Sequence, residues 1–209
     1  MLTSDDARRL EECVVGGGVA VFPADTVYGL GCDPENRAAV ERLYALKGRP
    51  AARPAAVMFF SLDAALQALP ELARRERAAM RALLPGPLTL LLPNRERRFL
   101  PACGPDPDTL GVRVPRLEGS LAALWAVRVP VVQSSANISG EGDVRRPADI
   151  TPSIREGADL VLDGGELPGT PSTVMDLRAY EERGEWRIVR AGPVGQRELE
   201  GVLNRADPC

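Results

Sequence analysis

VAVFPADTVYGLG, residues Val19 to Gly31, is the stretch that decides the fold class. Val19 to Phe22 is a short apolar run of strand type, and Pro23, which has no backbone donor, stops it. Asp25, Thr26 and Tyr28 follow directly beyond that strand, and two glycines flank Leu30. Open α/β sheets place ligands just outside strand ends, and glycine lets backbone come close to a ligand. The same residues also describe an ordinary turn, which is the plainer reading of this segment by itself.

Working outward, Ser4 to Val15 reads as an opening helix, capped by Ser or Thr, with acids in its first turn and Gly16-Gly17-Gly18 at its end. Asp33-Pro34 reads as a cap followed by proline at the first helical position, and Val40, Leu43, Tyr44 and Leu46 supply that helix's apolar face. Strands are expected at 55–60, 88–92, 110–114, 129–133 and 160–162, with helices at 62–69, 71–84, 117–127 and 152–156. Pro101 to Asp108 reads as a loop. In the last third, Thr173 to Leu177 and Trp186 to Arg190 flank a hairpin signal at Glu181 to Gly184, and a helix is expected over 195–204. Strand and helix alternate early and hairpins dominate late, which predicts an α/β fold with a mixed parallel and antiparallel sheet flanked by helices. We expect one domain over 1–209, its core about 14–193, with no internal repeat.

Composition narrows the chemistry. The chain has 209 residues, 44% hydrophobic and 26% charged, which suits a soluble domain with its own core. No apolar run approaches the roughly 18 residues of a membrane helix, and no basic-then-apolar leader opens the sequence, so no membrane partner is expected. Cys13, Cys32, Cys103 and Cys209 form no CxxC pair, so we expect free thiols in a reducing cytoplasm rather than a zinc site or a disulfide framework. There is no histidine, which removes imidazole bases, Ser-His-Asp triads and histidine metal ligands. Net charge is −3, too acidic for a global field that holds RNA nonspecifically. Of 26 basic residues only Lys47 is lysine, so either codon bias spared it or a compact three-donor charge is needed there.

Several polar segments follow strands or helices. KGRP, Lys47 to Pro50, sets a lysine and an arginine two residues apart at a helix end, where cations suit the dipole; the proline forces an extended exit, and such a pair also suits a triphosphate or carboxylate. SSANISG, Ser134 to Gly140, offers hydroxyls, an amide and free N–H groups to an anion. PSTVMD, Pro171 to Asp176, sets Ser172 and Thr173 at a strand start. No GxxxxGK[ST] or GxGxxG occurs, and with no GxSxG elbow and no histidine, Ser135 and Ser172 read as recognition groups rather than nucleophiles.

PADTVYGLG, KGRP, PGPLTLLL, GVRVP, SSANISG, PSTVMD and RAG, in this order from about Val14 to Pro193, closely resemble the YrdC-like family, whose best-known members are threonylcarbamoyl-AMP synthases of the TsaC type. The resemblance implies a twisted open sheet with a concave, positively charged groove. It implies synthesis of threonylcarbamoyl-adenylate and pyrophosphate from ATP, L-threonine and bicarbonate, with magnesium accompanying the ATP and no dedicated metal site. Partner proteins then carry the threonylcarbamoyl group to tRNA. Lys47, Arg49, Ser135 and Asn137 match the family's KxR…SxN signature. By the same resemblance Lys47 and Arg49 are the catalytic pair. Thr26, Arg113, Ser135 and Ser172 are threonine contacts, and Lys47, Arg49, Arg53, Thr109, Asn137, Arg145 and Arg190 are ATP contacts.

The sequence departs from the family in places. Met58 stands where many relatives have histidine, Arg116-Leu117 replaces the usual end of VPxH, and PADT replaces the commoner PTDT. The alternative the family offers is a YciO-like paralogue that binds double-stranded RNA or tRNA without this synthesis.

Overall fold

The computed structural model describes residues 1–50 and 53–206, so the expectation for Cys209 lies outside the described residues. Helix α1, Ser4–Val15, begins as its sequence dictates: Thr3 Oγ1 accepts from Asp6 N at 3.2 Å while Asp6 Oδ2 accepts from Thr3 N at 2.9 Å. Ala7, Leu10 and Val14 form its buried stripe, and Gly17, with φ 78°, turns the chain back toward the sheet. Strand β1, Ala20–Pro23, is buried throughout.

The next segment corrects the expectation of a loop. Tyr28–Cys32 is strand β2, a buried antiparallel partner of β1. Its glycines admit neighbouring side chains, not a ligand. A Cβ on Gly29 would lie 2.6 Å from Gln133 Nε2, and one on Gly31 would lie 2.7 Å from Phe22 Cε1. Gly29→Ala therefore must displace Gln133, and we expect it to destabilise the fold by about 1–3 kcal/mol, as overpacked cores do. Thermal unfolding checks this; a shift within error would show that Gln133 is free to move.

Helix α2 spans Arg37–Leu46 and is capped by Asn36, whose Oδ1 accepts from Ala39 N at 3.1 Å. The Asp33-Pro34 start is thus displaced by three residues, because Asp33 Oδ1 instead closes a turn on Glu35 N at 2.9 Å. Strand β3 (Ala56–Met58), helices α3 (Leu62–Ala68) and α4 (Arg74–Leu83) and strand β4 (Leu88–Pro93) follow. A one-turn helix α5, Leu100–Cys103, occupies the start of the expected proline-rich loop and leads to β5, Thr109–Arg113. Gly119–Ala126 is a 3₁₀ helix rather than the α-helix expected over 117–127. Strand β6 runs Val131–Ser135, two residues later than expected, because Ser134 and Ser135 pair with Leu30 and Gly29 of β2.

Helix α6 (Pro152–Gly157) and strands β7 (Leu160–Val161) and β8 (Thr173–Asp176) come next. Helix α7 (Tyr180–Arg183), ended by Gly184 at φ 67°, makes the reversal to β9 (Arg187–Arg190), and α8 (Gln196–Ala206) packs Leu199 and Leu203 inward, against α4. The nine strands of the described residues form one sheet in the order β7-β1-β2-β6-β3-β5-β4-β8-β9. The β1–β7, β3–β5 and β4–β8 pairs are parallel and the rest antiparallel, the mixed sheet that the sequence predicts.

Candidate active site

A cavity of about 400 Å³ opens over the middle of the sheet, walled by residues of β4, β5, β6 and β9 and by the segments preceding β3 and β8. Arg113, the last residue of β5, sits at its inner end and is only 3% exposed. Arg113 Nη2 donates to Asp25 Oδ1 at 2.6 Å and to Thr26 Oγ1 at 3.2 Å, and Nη1 donates to Gln133 Oε1 at 3.0 Å. The other oxygen of Asp25 accepts from Arg116 N at 3.0 Å. Burial pulls the Arg113 pKa below its ordinary value and pushes that of Asp25 up, against the pair's mutual attraction. Arg113 Nε is buried with no partner, so a fixed cation in the cavity wall keeps one donor in hand.

Beside it, the Ser172 and Thr89 hydroxyls are 2.8 Å apart, and Arg190 Nη2 donates to Ser172 Oγ at 3.1 Å and to Ser172 O at 2.8 Å. Farther out, Thr109 Oγ1 accepts from Arg178 Nη1 at 3.1 Å, and Arg178 is gripped by both oxygens of Asp176 at 2.9 and 2.8 Å. Arg49 forms part of the opposite wall. Its guanidinium lies 5.7 Å from the Tyr44 ring centroid and donates to Pro54 O at 2.5 Å and Arg53 O at 3.2 Å. Burial and the nearby charges of Arg53 and Arg190 lower its pKa, so this wall favours an anion.

Lys47 behaves differently from the exposed helix-end cation that the sequence suggests. It is 1% exposed and does not line the cavity. Its Nζ donates to Ser135 O, to Asn137 O at 2.7 Å and to Asn137 Oδ1 at 3.2 Å, while Ser139 N donates back to Lys47 O at 2.9 Å. Ser135 Oγ donates to the same Asn137 Oδ1 at 2.5 Å, and Asn137 Nδ2 donates to Glu141 O at 2.7 Å. Lys47, Ser135 and Asn137 are therefore one clasp, in which the lysine ties the end of β6 and the loop after it to the end of α2, while Arg49 of the same signature stays in the cavity wall. Burial, then the charge of Arg49, lowers the Lys47 pKa to about 8, with Asp143 opposing.

That shift has a sign. Between about 8 and the ordinary 10.5, the unfolded chain holds a proton that the folded chain has released, so the lysine's contribution to stability grows with pH in this window. Cys32 and Cys103, raised by burial to about 12 and about 11, act in the opposite direction above their ordinary 9. Comparing urea unfolding of the parent with Lys47→Met between pH 7.5 and 10 isolates the lysine, and the stability difference should change with pH. A constant difference would mean an unshifted lysine.

Of the residues singled out from sequence, Arg49, Thr109, Arg113, Ser135, Ser172 and Arg190 meet at the cavity. Thr26 stands behind Arg113, Asn137 lies within the clasp, and Arg53 contributes its carbonyl to Arg49. Arg145 is drawn aside: its Nη2 pairs with Glu166 at 2.9 Å and its Nε donates to Leu167 O at 3.1 Å. Tyr28 is turned away as well, its hydroxyl bonded to Gly165 O at 2.7 Å and Gly164 N at 3.0 Å. Met58 is fully buried in β3, beside Arg113 in the sheet register. Gln133, Thr89, Asp143 and Arg178 are wall residues not singled out from sequence; the polar Gln133 and Thr89 inside apolar strands were the available signal.

The Sua5/YciO/YrdC family model, described as telomere recombination, matches residues 12–192. The chain is 32% identical over 190 residues to the threonylcarbamoyl-AMP synthase of Pyrococcus abyssi, covering 90% of this chain and 54% of that protein. It thus spans about half the length of that relative. It is 35% identical over 179 residues to the threonylcarbamoyl-AMP synthase of Xanthomonas axonopodis pv. citri, covering 83% of this chain and 94% of the relative. The crystal structure of P. abyssi Sua5 complexed with L-threonine superposes with a TM-score of 0.77 at 31% identity, over 97% of this chain and 58% of that one. Escherichia coli YciO superposes with a TM-score of 0.78 at 27% identity, over 95% and 94% of the two chains. With that model matched over most of its length and the sheet shared with the solved relatives, the chain belongs to the Sua5/YciO/YrdC family.

Proposed function

We propose that this chain is a threonylcarbamoyl-AMP synthase, which joins L-threonine, bicarbonate and ATP into threonylcarbamoyl-adenylate with release of pyrophosphate. The observation that carries this reading is the Arg113 end of the cavity. A buried guanidinium with a spare N–H lies close to the paired Ser172 and Thr89 hydroxyls, and the cationic Arg49 and Arg190 share the same space. In this reading Arg113 takes the amino-acid carboxylate, and the hydroxyl pair reads the threonine hydroxyl. A site built on hydrogen bonds to a substrate hydroxyl discriminates strongly against analogues lacking it.

The threonine amine and bicarbonate condense to a carbamate with loss of water. A carbamate oxygen then attacks the α-phosphorus, and pyrophosphate departs. Arg49 and Arg190 stabilise charge on the phosphates, and the clasp around Lys47 holds the wall made by Ser134 and Ser135. Magnesium fits this wall only as a companion of ATP. Among the described residues no group of three or more Cys, Asp or Glu could hold a metal alone, whereas the Asp143 carboxylate lines the cavity with the phosphate-side arginines. Bound there, the ion would offset phosphate charge. Delivery of the threonylcarbamoyl group to tRNA by partner proteins, in the cytoplasm, completes the proposal.

The test is pyrophosphate release from ATP and bicarbonate, with L-threonine against serine and glycine controls. Threonine-dependent release is expected. No release with any amino acid, from folded protein that still binds tRNA, would overturn the synthase in favour of an RNA-binding paralogue.

A further inference from the structure

Asp143 is out of character with its surroundings. Its half-buried carboxylate lines a cavity whose nearby charges are cationic, with Arg49 and Arg190 among the wall residues. The other carboxylates around the site are committed. Asp25 is paired with Arg113 at 2.6 Å, Asp176 with Arg178 at 2.8 Å, and Asp106 lies 3.6 Å from Arg178. No hydrogen bond or ion pair among the described residues ends on the Asp143 carboxylate. It is close enough to favour the charged forms of Lys47 and Arg190, yet it neutralises neither by direct contact.

Its placement is not accidental slack. Asp143 follows Gly140, at φ 98°, and Gly142, neither of which has a neighbour within 4 Å of a Cβ position. The loop before it is tied down through Asn137 and Glu141 O, and Val144 behind it is buried, its carbonyl accepting from Tyr28 N at 2.9 Å. A short, unencumbered turn between two fixed points presents one anion to the cavity.

A bare triphosphate brought to Arg49 and Arg190 would meet that anion and be repelled. A phosphate oxygen and a carboxylate oxygen become compatible when a hard divalent cation lies between them. Magnesium is commonly bound this way, by one or two carboxylates, substrate phosphates and several waters, rather than by an all-protein cage. We infer that Asp143 is this chain's own contact to a divalent cation carried on the nucleotide, directly or through one of its waters, so that the site admits metal–ATP and disfavours ATP alone. This rests on the nucleotide-binding reading given above.

The competing account makes Asp143 a plain counter-charge for Arg190 and Lys47. The two accounts differ in a measurable way. Removing a counter-charge strengthens binding both of bare ATP and, by a smaller factor, of the less highly charged metal–ATP. Removing a metal contact strengthens bare ATP and weakens metal–ATP.

The experiment is equilibrium binding of ATP to the full chain and to Asp143→Asn, once in EDTA and once in excess Mg²⁺, with thermal unfolding to confirm the fold. For the variant we expect about tenfold tighter binding in EDTA and about tenfold weaker binding in Mg²⁺, each the size of one altered charge contact. Mn²⁺ substituted for Mg²⁺ adds a readout independent of turnover: water-proton relaxation of the Mn²⁺–ATP complex should change in the parent and change less in Asp143→Asn. Binding that tightens, or stays unchanged, in Mg²⁺ would overturn the metal contact while leaving the nucleotide site standing. A parent chain that binds ATP under neither condition would overturn the nucleotide reading itself, and this inference with it.

Discussion

Lys47→Ala should lose stability and pyrophosphate release together. The ammonium donates to three acceptors at the end of β6 and just beyond it, Ser135 O, Asn137 O and Asn137 Oδ1, and the residue is 1% exposed. Truncation leaves those acceptors without a donor, and hydrogen bonds to a charged group contribute about 1.5–3 kcal/mol each, less the relief of one desolvated charge. A net loss of about 3 kcal/mol is expected in urea unfolding, with turnover falling by at least about 100-fold because Ser135 and its neighbours lose their position. Sequence alone places Lys47 at a helix end where the dipole suits a cation; its burial makes it part of the fold as well. A variant as stable as the parent would show that the clasp is not formed. Lys47→Arg should also be impaired, since a planar fork does not fit three acceptors arranged around one nitrogen.

Arg113→Met separates the two tasks of that residue. It strands Asp25 as a buried carboxylate, and breaking a buried ion pair from one side costs about 3–5 kcal/mol. Threonine affinity should fall by about 100-fold with the loss of a charged hydrogen-bond donor to its carboxylate. The double variant Arg113→Met/Asp25→Asn removes both charges and should recover most of the stability, but none of the threonine binding. Calorimetric unfolding and threonine titration read the two effects separately. Recovered binding in the double variant would dismiss Arg113 as the carboxylate partner.

The fold class was legible because strand and helix signals alternate and then give way to a hairpin. Strand β2 was not, since a run carrying two glycines reads as turn when nothing shows that Gln133 and Phe22 need the space above them. The late end of β6 has a similar cause: serines end strands in isolation, yet Ser134 and Ser135 are held by pairing to β2. At the site, Arg113, Ser172 and Arg190 were found through motif resemblance, and the structure does bring them together. Arg145, an ATP contact by the resemblance, does not line the cavity here, because Glu166, 21 positions later, pairs with it across the fold. The role of Lys47 as a clasp depends on carbonyl positions that a sequence does not display. Asp143 carries no local signal at all, because its interest lies in facing cations supplied by the segment after α2 and by β9.

The strand order bears on how the protein comes into being. The β4–β8 pairing joins Leu88 to Thr173, and β1–β7 joins Ala20 to Leu160, so each pair must bring together residues far apart in the chain before it forms. Topologies built on such distant partners fold slowly, typically in milliseconds to seconds. The cavity draws on Arg49 near the start of the chain and Arg190 near its end, so a nascent chain on the ribosome has no complete pocket until β9 emerges. Under the proposed function, nucleotide binding requires β9, and fragments cut anywhere before it should not bind ATP.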